Sequence, residues 1–531
     1  MIKFGINKYF WIFLLILFIG LFFRAYGLDF APPGLHPDEA MNGNEALFSP
    51  GQVFYQENAG REGLYVNCIS LIFKLFEPSI SSLRLTSAIF GFLTIIGMYF
   101  FSKELFLLIG LKSKNSKIAS LFASFFLAIS FWHVNFSRMG IRGVLLPFFL
   151  VFCFYFFFKG IRTNRLIDFL IAGIFLGLGF YGYSAFRMIV LIFPIPFLYY
   201  FFSSIKKQEL KRFFFEYWTF CLVTIIILLP LLTYFWHNSD LFFKRFDEVS
   251  IFSRPNTGKL FFEGTLSHLL MFNFIGDKYN YNFSYSPQLL FPVGLLFLLG
   301  IFLFIRKCVR GFRKRNYRAL MACAFVFVWF FVMLLPGIFS YYKGPSALRS
   351  IGTIPVAYVF SAYGAFYLFD KLRKMKFFVK RTIWLVILIT LIGGALFSWQ
   401  FYKYFYLFTN NPVTIGAFGQ RIADIGFFLN KEPQSLKKYV VVNEGNRPVP
   451  CPYGPPLAGQ TIMFLESVEY GKIRSFYLSK QEISFLANLE GDAVIIPVWP
   501  SDEIIKEIQA INPKCKLFSI DNFNKGLTIT R

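Results

Sequence analysis

Apolar positions dominate long runs of the chain, and short polar or basic segments separate those runs. A helix needs about 20 mainly apolar residues to cross about 30 Å of hydrocarbon. Runs of that length predict about eleven transmembrane helices. Their approximate limits are 9–27, 83–105, 117–137, 141–160, 165–183, 186–205, 214–236, 288–306, 318–340, 346–370 and 380–403. We therefore predict an all-α, multi-pass membrane domain over residues 1–403.

The pattern changes at about residue 404. KKYVVVNE and GDAVIIPVWP are typical of short buried strands, and SDEIIKEIQAI predicts an amphipathic helix with Ser501 as its N-cap. Residues 404–531 are thus predicted to form a small α/β domain, long enough for a core of its own. The long loop 28–82 contains LYVNCISLIFKLF, which predicts a helix lying in the membrane interface.

Composition and charge agree with a membrane protein. The chain is 56% hydrophobic and only 16% charged, with a mean hydropathy of +0.55, so a soluble protein of this length could not bury its apolar surface. The net charge of +25 comes from basic residues clustered in alternate loops, which is the positive-inside pattern and excludes nucleic acid as the partner. We expect a cell (plasma) membrane protein with a cytoplasmic N-terminus. An odd number of helices would place the C-terminal domain outside the cytoplasm.

The first candidate site is LHPDEAMNGNEAL, which follows the first predicted helix on its outer side. Asp38 and Glu39 are adjacent carboxylates after Pro37. They could simply begin a helix, because proline and acids suit the first turn. Alternatively, one carboxylate could take the proton of an acceptor hydroxyl.

A second acidic group, Glu57 and Glu62, lies in ENAGREGLYVN. These two acids are either solvated loop charges or ligands of a divalent metal ion beside a phosphate. The sequence offers no G-x-G-x-x-G, no P-loop and no Cys/His cluster. No other cofactor is therefore indicated.

Basic residues also occur at the predicted outer ends of helices, against the overall charge bias. They are Arg138, Arg142, Arg187, Lys343 and Arg349. Each could snorkel to lipid headgroups. As a set they favour phosphate binding, because the planar guanidinium of arginine matches a phosphate bidentately.

These motifs occur in an order that resembles a known superfamily. PPGLHPDEA, GRE, SRMGIR, YGYSAFRM and PSALRSIGTIP together resemble the GT-C glycosyltransferases. The resemblance is to the branch of family 39, which includes protein O-mannosyltransferases, and of the aminoarabinose transferases that act on lipid A. It implies transfer of a sugar from a polyprenyl-phosphate donor to an acceptor at the extracytoplasmic face, with inversion.

The resemblance also implies roles for individual residues. Asp38 would be the catalytic carboxylate and Glu39 its partner. Glu62 matches an acid associated with metal or phosphate, while Arg138, Arg142 and Arg349 would face the carrier phosphate. Aminoarabinose transferases have a further acid where this chain has Arg138 and Arg142, which argues against lipid A chemistry.

Two alternatives stay open at this point. A transporter or flippase of lipid-linked glycans would need charges at the bundle midplane and, often, internal repeats. A non-catalytic assembly subunit would tolerate replacement of Asp38. The sequence leaves open the sugar, the carrier lipid and whether the acceptor is a glycan, a lipid or a protein.

Overall fold

The computed structural model describes residues 8–58, 60–242, 250–279, 281–341, 344–443, 455–489 and 491–529. Its contacts divide the chain into two compact units. The membrane unit comprises Met1–Tyr26, Ser87–Arg138 and Arg142–Phe408. The α/β unit comprises Gly27–Thr86, Met139–Ile141 and Thr409–Arg531.

The α-helices are α1 (Lys8–Ala25), α2 (Pro37–Phe48), α3 (Leu64–Leu75), α4 (Ile80–Leu108), α5 (Ser113–Ile129), α6 (Phe131–Arg138), α7 (Leu145–Thr163), α8 (Leu166–Gly179), α9 (Pro194–Lys206), α10 (Leu210–His237), α11 (Thr257–Leu270), α12 (Phe291–Arg313), α13 (Tyr317–Val332), α14 (Leu335–Ile338), α15 (Ile354–Leu372), α16 (Lys376–Lys380), α17 (Thr382–Tyr402), α18 (Pro412–Ala417), α19 (Gln420–Lys431), α20 (Gly459–Tyr470) and α21 (Asp502–Ile511). A π-helix, Lys403–Phe408, continues α17. The 3₁₀ helices are Arg142–Val144, Ser184–Leu191, Ile251–Ser253, Ile351–Thr353 and Lys480–Asn488.

All eleven predicted apolar runs are helical, and the chain is a multi-pass membrane protein. Among the described residues, nine helices are long and apolar enough to span a membrane. α5 and α6 form a tenth span if the 54° bend between them lies within one crossing. The one remaining run, predicted at 165–183, forms a shorter helix than expected. Its helix α8 has 14 residues and ends at Gly179. The sequence GFYGY then leads into the 3₁₀ helix Ser184–Leu191.

Burial separates central from peripheral helices in the membrane unit. The span Ile351–Leu372 is 83% buried within the protein, whereas Thr382–Phe408 is 11% buried. The exposed side chains of the latter are mainly apolar, as a lipid-facing helix requires. Trp329 is fully buried and donates its indole N–H to the carbonyl of Gly352 over 2.8 Å, so this large side chain is satisfied inside the bundle.

The seven strands found among the described residues lie in the α/β unit. They are β1 (Phe54–Tyr55), β2 (Arg61–Glu62), β3 (Lys437–Val442), β4 (Phe476–Ser479), β5 (Ala493–Pro497), β6 (Lys516–Ser519) and β7 (Lys525–Ile529). β1 and β2 form a short antiparallel pair. The other five form a sheet in the order β4-β3-β5-β7-β6, parallel across the first three strands and antiparallel across the last three.

The C-terminal elements predicted from the sequence are confirmed. Both predicted strands occur as β3 and β5, and α21 begins where Ser501 accepts a hydrogen bond from the N–H of Ile504 over 3.3 Å. The segment predicted to lie in the membrane interface is helical, as α3. Val441, Ile495 and Ile508 are fully buried between the sheet and its helices, which gives this part a continuous core.

Helix α2 packs against α20 inside the α/β unit. Asn44 donates to the backbone carbonyl of Gln460 over 3.0 Å and to its side-chain oxygen over 2.9 Å. Gly43 is needed here, since a Cβ at this position would collide with the ring of Phe464. The predicted division at residue 403 is linear along the chain, whereas the contacts group residues 27–86 with residues 409–531.

Ile508→Ala should lower stability by about 2–5 kcal/mol, because it leaves a cavity in the buried face of α21. Thermal unfolding of the full-length protein in detergent would measure the change. The control is Lys506→Ala on the exposed face of the same helix, which should unfold like wild type. Equal midpoints for both variants would contradict the packing.

Candidate active site

The acidic pair lies at the start of α2, as predicted. His36 is the N-cap, and its Nδ1 accepts a hydrogen bond from the N–H of Asp38 over 3.2 Å. Glu39 reaches back and accepts from the N–H of His36 over 3.0 Å. This reciprocal capping, with Pro37 in the first turn, fixes the direction in which the two carboxylates leave the helix.

Glu39 forms a buried ion pair with Arg84, and neither side chain is exposed to solvent. Arg84 Nε and Nη2 each lie 3.1 Å from one of the carboxylate oxygens, and the N–H of Gly140 donates to Oε1. The remaining Arg84 contacts are to backbone carbonyls of the loop, those of Leu28, Pro32 and Gly34. The Glu39–Arg84 pair therefore holds the loop before α2 against the first turn of α4.

Asp38 differs from its neighbour in accessibility. Its side chain is 43% exposed. Oδ1 accepts a hydrogen bond from Asn58 over 3.0 Å, and Oδ2 lies 3.9 Å from His36 Nδ1. The two adjacent carboxylates thus have different surroundings, and Asp38 is the one that a substrate could reach.

A second buried pair, which sequence reasoning missed, lies further along α2. Arg61 is paired with Glu45 and donates to Asn42 Oδ1 over 2.6 Å. Asn42 in turn donates to the carbonyl of Gly140 over 2.9 Å. The spacing of Glu39, Asn42 and Glu45, each three residues apart, could have indicated one polar face of α2.

The two acids considered for metal binding lie beside this pair. Glu62 is in β2 opposite Phe54 and is only 2% exposed, while Glu57 is half-buried in the turn between β1 and β2. In the part of the chain that the structure describes, no group of three or more His, Cys, Asp or Glu could hold a metal ion. A divalent metal ion remains a prediction.

Four of the five predicted phosphate ligands lie in described parts of the membrane unit. Arg138 is fully buried, and its guanidinium donates to the carbonyls of Phe23 and Tyr26 over 2.9 and 2.6 Å. It also stacks on Tyr404 and Phe405 of the π-helix. Arg138 therefore caps the carboxyl end of α1, a geometry that favours a structural role over phosphate binding.

The guanidinium of Arg187 lies over the rings of Phe235 and Phe242 and donates to the carbonyl of Phe242 over 3.0 Å. Lys343 lies outside the described residues.

Arg142 and Arg349 lie around one cluster of side chains. Its members are Tyr183, Asp277 and Tyr281. Arg142 is 5.8 Å from the ring of Tyr183. Burial raises the pKa of Tyr281 well above its usual value, the neighbouring Asp277 and Tyr183 raise it further, and Arg349 opposes them. The side chains of this group are therefore close enough to act on one another electrostatically.

Asp277, which the sequence did not single out, is the hydrogen-bonding centre of that cluster. Its buried carboxylate accepts from the N–H of Tyr279 over 2.8 Å, from Asn282 over 3.2 Å and from the N–H of Ala347 over 2.7 Å. Burial raises the pKa of Asp277 to about 6, although these backbone hydrogen bonds and the charges of Lys278 and Arg349 act in the opposite direction.

His268 contacts Ser346, the residue before Ala347. Its Nε2 accepts from the N–H of Ser346 over 3.1 Å, and its Nδ1 lies 2.7 Å from the carbonyl of Gly264. Burial lowers the pKa of His268 to about 4, and Arg349 contributes in the same direction. A neutral imidazole with its proton on Nδ1 fits both hydrogen bonds.

Known structures share this architecture. ArnT from Cupriavidus metallidurans in the apo state superposes with a TM-score of 0.57 at 13% identity, over 97% of this chain and 97% of that one. The same protein bound to undecaprenyl phosphate gives 0.53 at 14% identity, over 98% and 97%. The oligosaccharyltransferase of Archaeoglobus fulgidus gives 0.46 at 14% identity, over 98% and 73%. The all-α membrane domain with a small C-terminal α/β domain, inferred from the sequence, is the fold shared with the two ArnT structures and is confirmed.

A family match covers part of the membrane unit and the end of the first long loop. Residues 65–234 match the family described as dolichyl-phosphate-mannose-protein mannosyltransferase. No curated protein sequence matches that of this chain. The resemblance to GT-C glycosyltransferases thus rests on the fold, on this match and on the order of the motifs.

Glu39→Gln should destabilise the protein by about 3–5 kcal/mol, because it leaves the buried guanidinium of Arg84 without its counter-charge. The midpoint of thermal unfolding of the full-length protein measures this. Asp38→Asn is the matched control, since it replaces the neighbouring but accessible carboxylate and should unfold close to wild type. A Glu39→Gln protein as stable as the control would contradict a structural role for the pair.

Proposed function

We propose that the protein transfers a sugar from a polyprenyl-phosphate donor to an acceptor at the extracytoplasmic face of the cell membrane, inverting the anomeric carbon. The observation that supports it most directly is the difference between the two carboxylates of the acidic pair, Asp38 and Glu39. Glu39 is locked to Arg84, which leaves Asp38 at a fixed position with an accessible side chain. An accessible carboxylate held by a rigid support is what a general base requires.

In this reaction an acceptor hydroxyl oxygen attacks the anomeric carbon. The bond between that carbon and the phosphate oxygen breaks, and its electron pair leaves with the phosphate. Asp38 takes the hydroxyl proton as the new glycosidic bond forms. Attack from the face opposite the leaving phosphate accounts for inversion.

The leaving group gains charge as it departs, so it needs fixed cations. Arg142 and Arg349 are the candidates, because both are half-buried and lie around the cluster centred on Asp277. Arg138 is assigned to helix capping instead, and Arg187 to its aromatic partners. Glu39 is a positioning residue rather than a second catalytic acid.

The donor class follows from chemistry and from the shared fold. An ArnT with this fold has been crystallised with undecaprenyl phosphate, which supports a polyprenyl phosphate as the carrier. A carrier of this kind keeps its tail in lipid and needs no nucleotide site. The acceptor is a glycan, a lipid or a protein, and Glu57 and Glu62 remain the candidates for a divalent metal ion.

Asp38→Asn should lower the transfer rate by about 100-fold or more, because the amide cannot take the hydroxyl proton. Purified protein in nanodiscs would be tested with a panel of polyprenyl-phosphate sugars, and unfolding midpoints would confirm that the variant is folded. A folded variant that transfers sugar as fast as wild type would exclude Asp38 as the base.

Arg349→Gln should weaken the binding of undecaprenyl phosphate by about 10- to 100-fold, the value of a lost charged hydrogen bond. Equilibrium binding in phosphatidylcholine nanodiscs measures it. Lys259→Gln removes a cation of 74% side-chain exposure from α11 and should leave binding unchanged. Equal losses in both variants would indicate a general charge effect.

A further inference from the structure

Arg349 lies in a short segment whose backbone is held by side chains from elsewhere in the membrane unit. Residues 345–350, here called the Arg349 segment, precede the 3₁₀ helix Ile351–Thr353 that leads into α15. The segment makes its own turn, in which Ser346 Oγ accepts from the N–H of Arg349 over 3.3 Å and its carbonyl accepts from the N–H of Ser350 over 3.1 Å. It is therefore the first turn of a helical stretch.

The first N–H groups of such a stretch have no partners within it. Here they are satisfied by two buried side chains, because Ser346 N–H donates to His268 and Ala347 N–H donates to Asp277. The carbonyl of Ala347 accepts from the indole of Trp132 over 3.0 Å. Contacts at the N–H and at the carbonyl of Ala347 fix the segment in position and in rotation.

Asp277 links two segments at once. The same carboxylate oxygen that accepts from Ala347 also accepts from Asn282, and the other oxygen accepts from Tyr279. The loop bearing Tyr279 and Asn282 is held to α6, since Asn135 donates to the carbonyl of Tyr281 over 2.9 Å. The position of Arg349 thus depends on a carboxylate that is fully buried and cannot itself reach a substrate.

His268 is confined in the same way. Gly337 lies so close that a Cβ there would collide with His268 Nε2. The imidazole is 1% exposed and has little room to turn away from Ser346.

We propose that Asp277, assisted by His268, is a positioning residue for recognition of the carrier phosphate: it caps the Arg349 segment and so sets where the guanidinium of Arg349 meets the phosphate. The inference rests on the proposed function, because it takes Arg349 to be a phosphate ligand. Asp277→Asn replaces one acceptor oxygen by a donor, which would face N–H groups and loosen the segment.

The test is a double-mutant cycle on the affinity for undecaprenyl phosphate, measured at pH 7.5 with full-length protein in phosphatidylcholine nanodiscs. Undecaprenol, which lacks the phosphate, serves as the ligand control. Asp277→Asn should weaken binding about tenfold in the wild-type background. In the Arg349→Gln background it should weaken binding less than about twofold, because a residue that acts through Arg349 has nothing left to position.

Two outcomes of the cycle would overturn the proposal: unchanged affinity in Asp277→Asn, or losses that multiply in the double variant. A purely structural defect would give the multiplied losses. Wild-type protein that binds neither ligand would overturn the proposed function and this inference with it, whereas a failure of the inference alone leaves wild-type binding of undecaprenyl phosphate intact.

A second pair of variants decides the matter if Asp277→Asn does not fold. His268→Gln keeps an acceptor for the N–H of Ser346 and should bind close to wild type. His268→Leu removes the acceptor and should bind several-fold more weakly. Equal affinities in the two variants would overturn the proposal.

Discussion

The buried pair of Glu39 and Arg84 is the interaction on which the proposed site depends. Removing two charges from water is costly, and the pair is tolerable only because its geometry is good and its remaining hydrogen-bonding groups are satisfied. Arg84 binds three loop carbonyls as well as the carboxylate, and Glu39 also caps α2. One ion pair therefore closes the loop after the first membrane helix, sets the start of α2 and leaves Asp38 accessible.

Arginine does several different tasks in this protein, and the tasks follow from surroundings rather than from residue type. Arg138 satisfies a backbone carbonyl near the carboxyl end of α1, and Arg24 satisfies that of Ala128 near the carboxyl end of α5, where no intrahelical donors remain. Arg187 lies over aromatic rings. Arg349 lies in a segment held by Asp277 and His268. A count of basic residues on one side of a membrane therefore overstates the number that can meet a phosphate.

Our proposal assigns each unit one reactive side chain. In each unit the reactive side chain is supported by a buried acid that does not react: Glu39 supports Asp38, and Asp277 supports Arg349. Packing of α2 against α20, with the Asn44–Gln460 contact, ties the acidic helix to the C-terminal fold. The C-terminal elements thus contribute to the position of Asp38.

The sequence by itself determined the class of the protein, the eleven apolar helical runs, the strands and helix of the C-terminal part, and the start of α2 at Pro37. These follow from local patterns: apolar length, alternation and capping residues. Only the tertiary structure decided that Glu39 and Asp38 differ in burial, that Arg138 caps α1, and that Asp277 and His268 meet the Arg349 segment. The partners in these contacts are from 45 to more than 100 residues apart in most cases, as in Glu39 with Arg84 and Arg138 with Phe23, and nothing in local spacing indicates which distant group satisfies a buried charge.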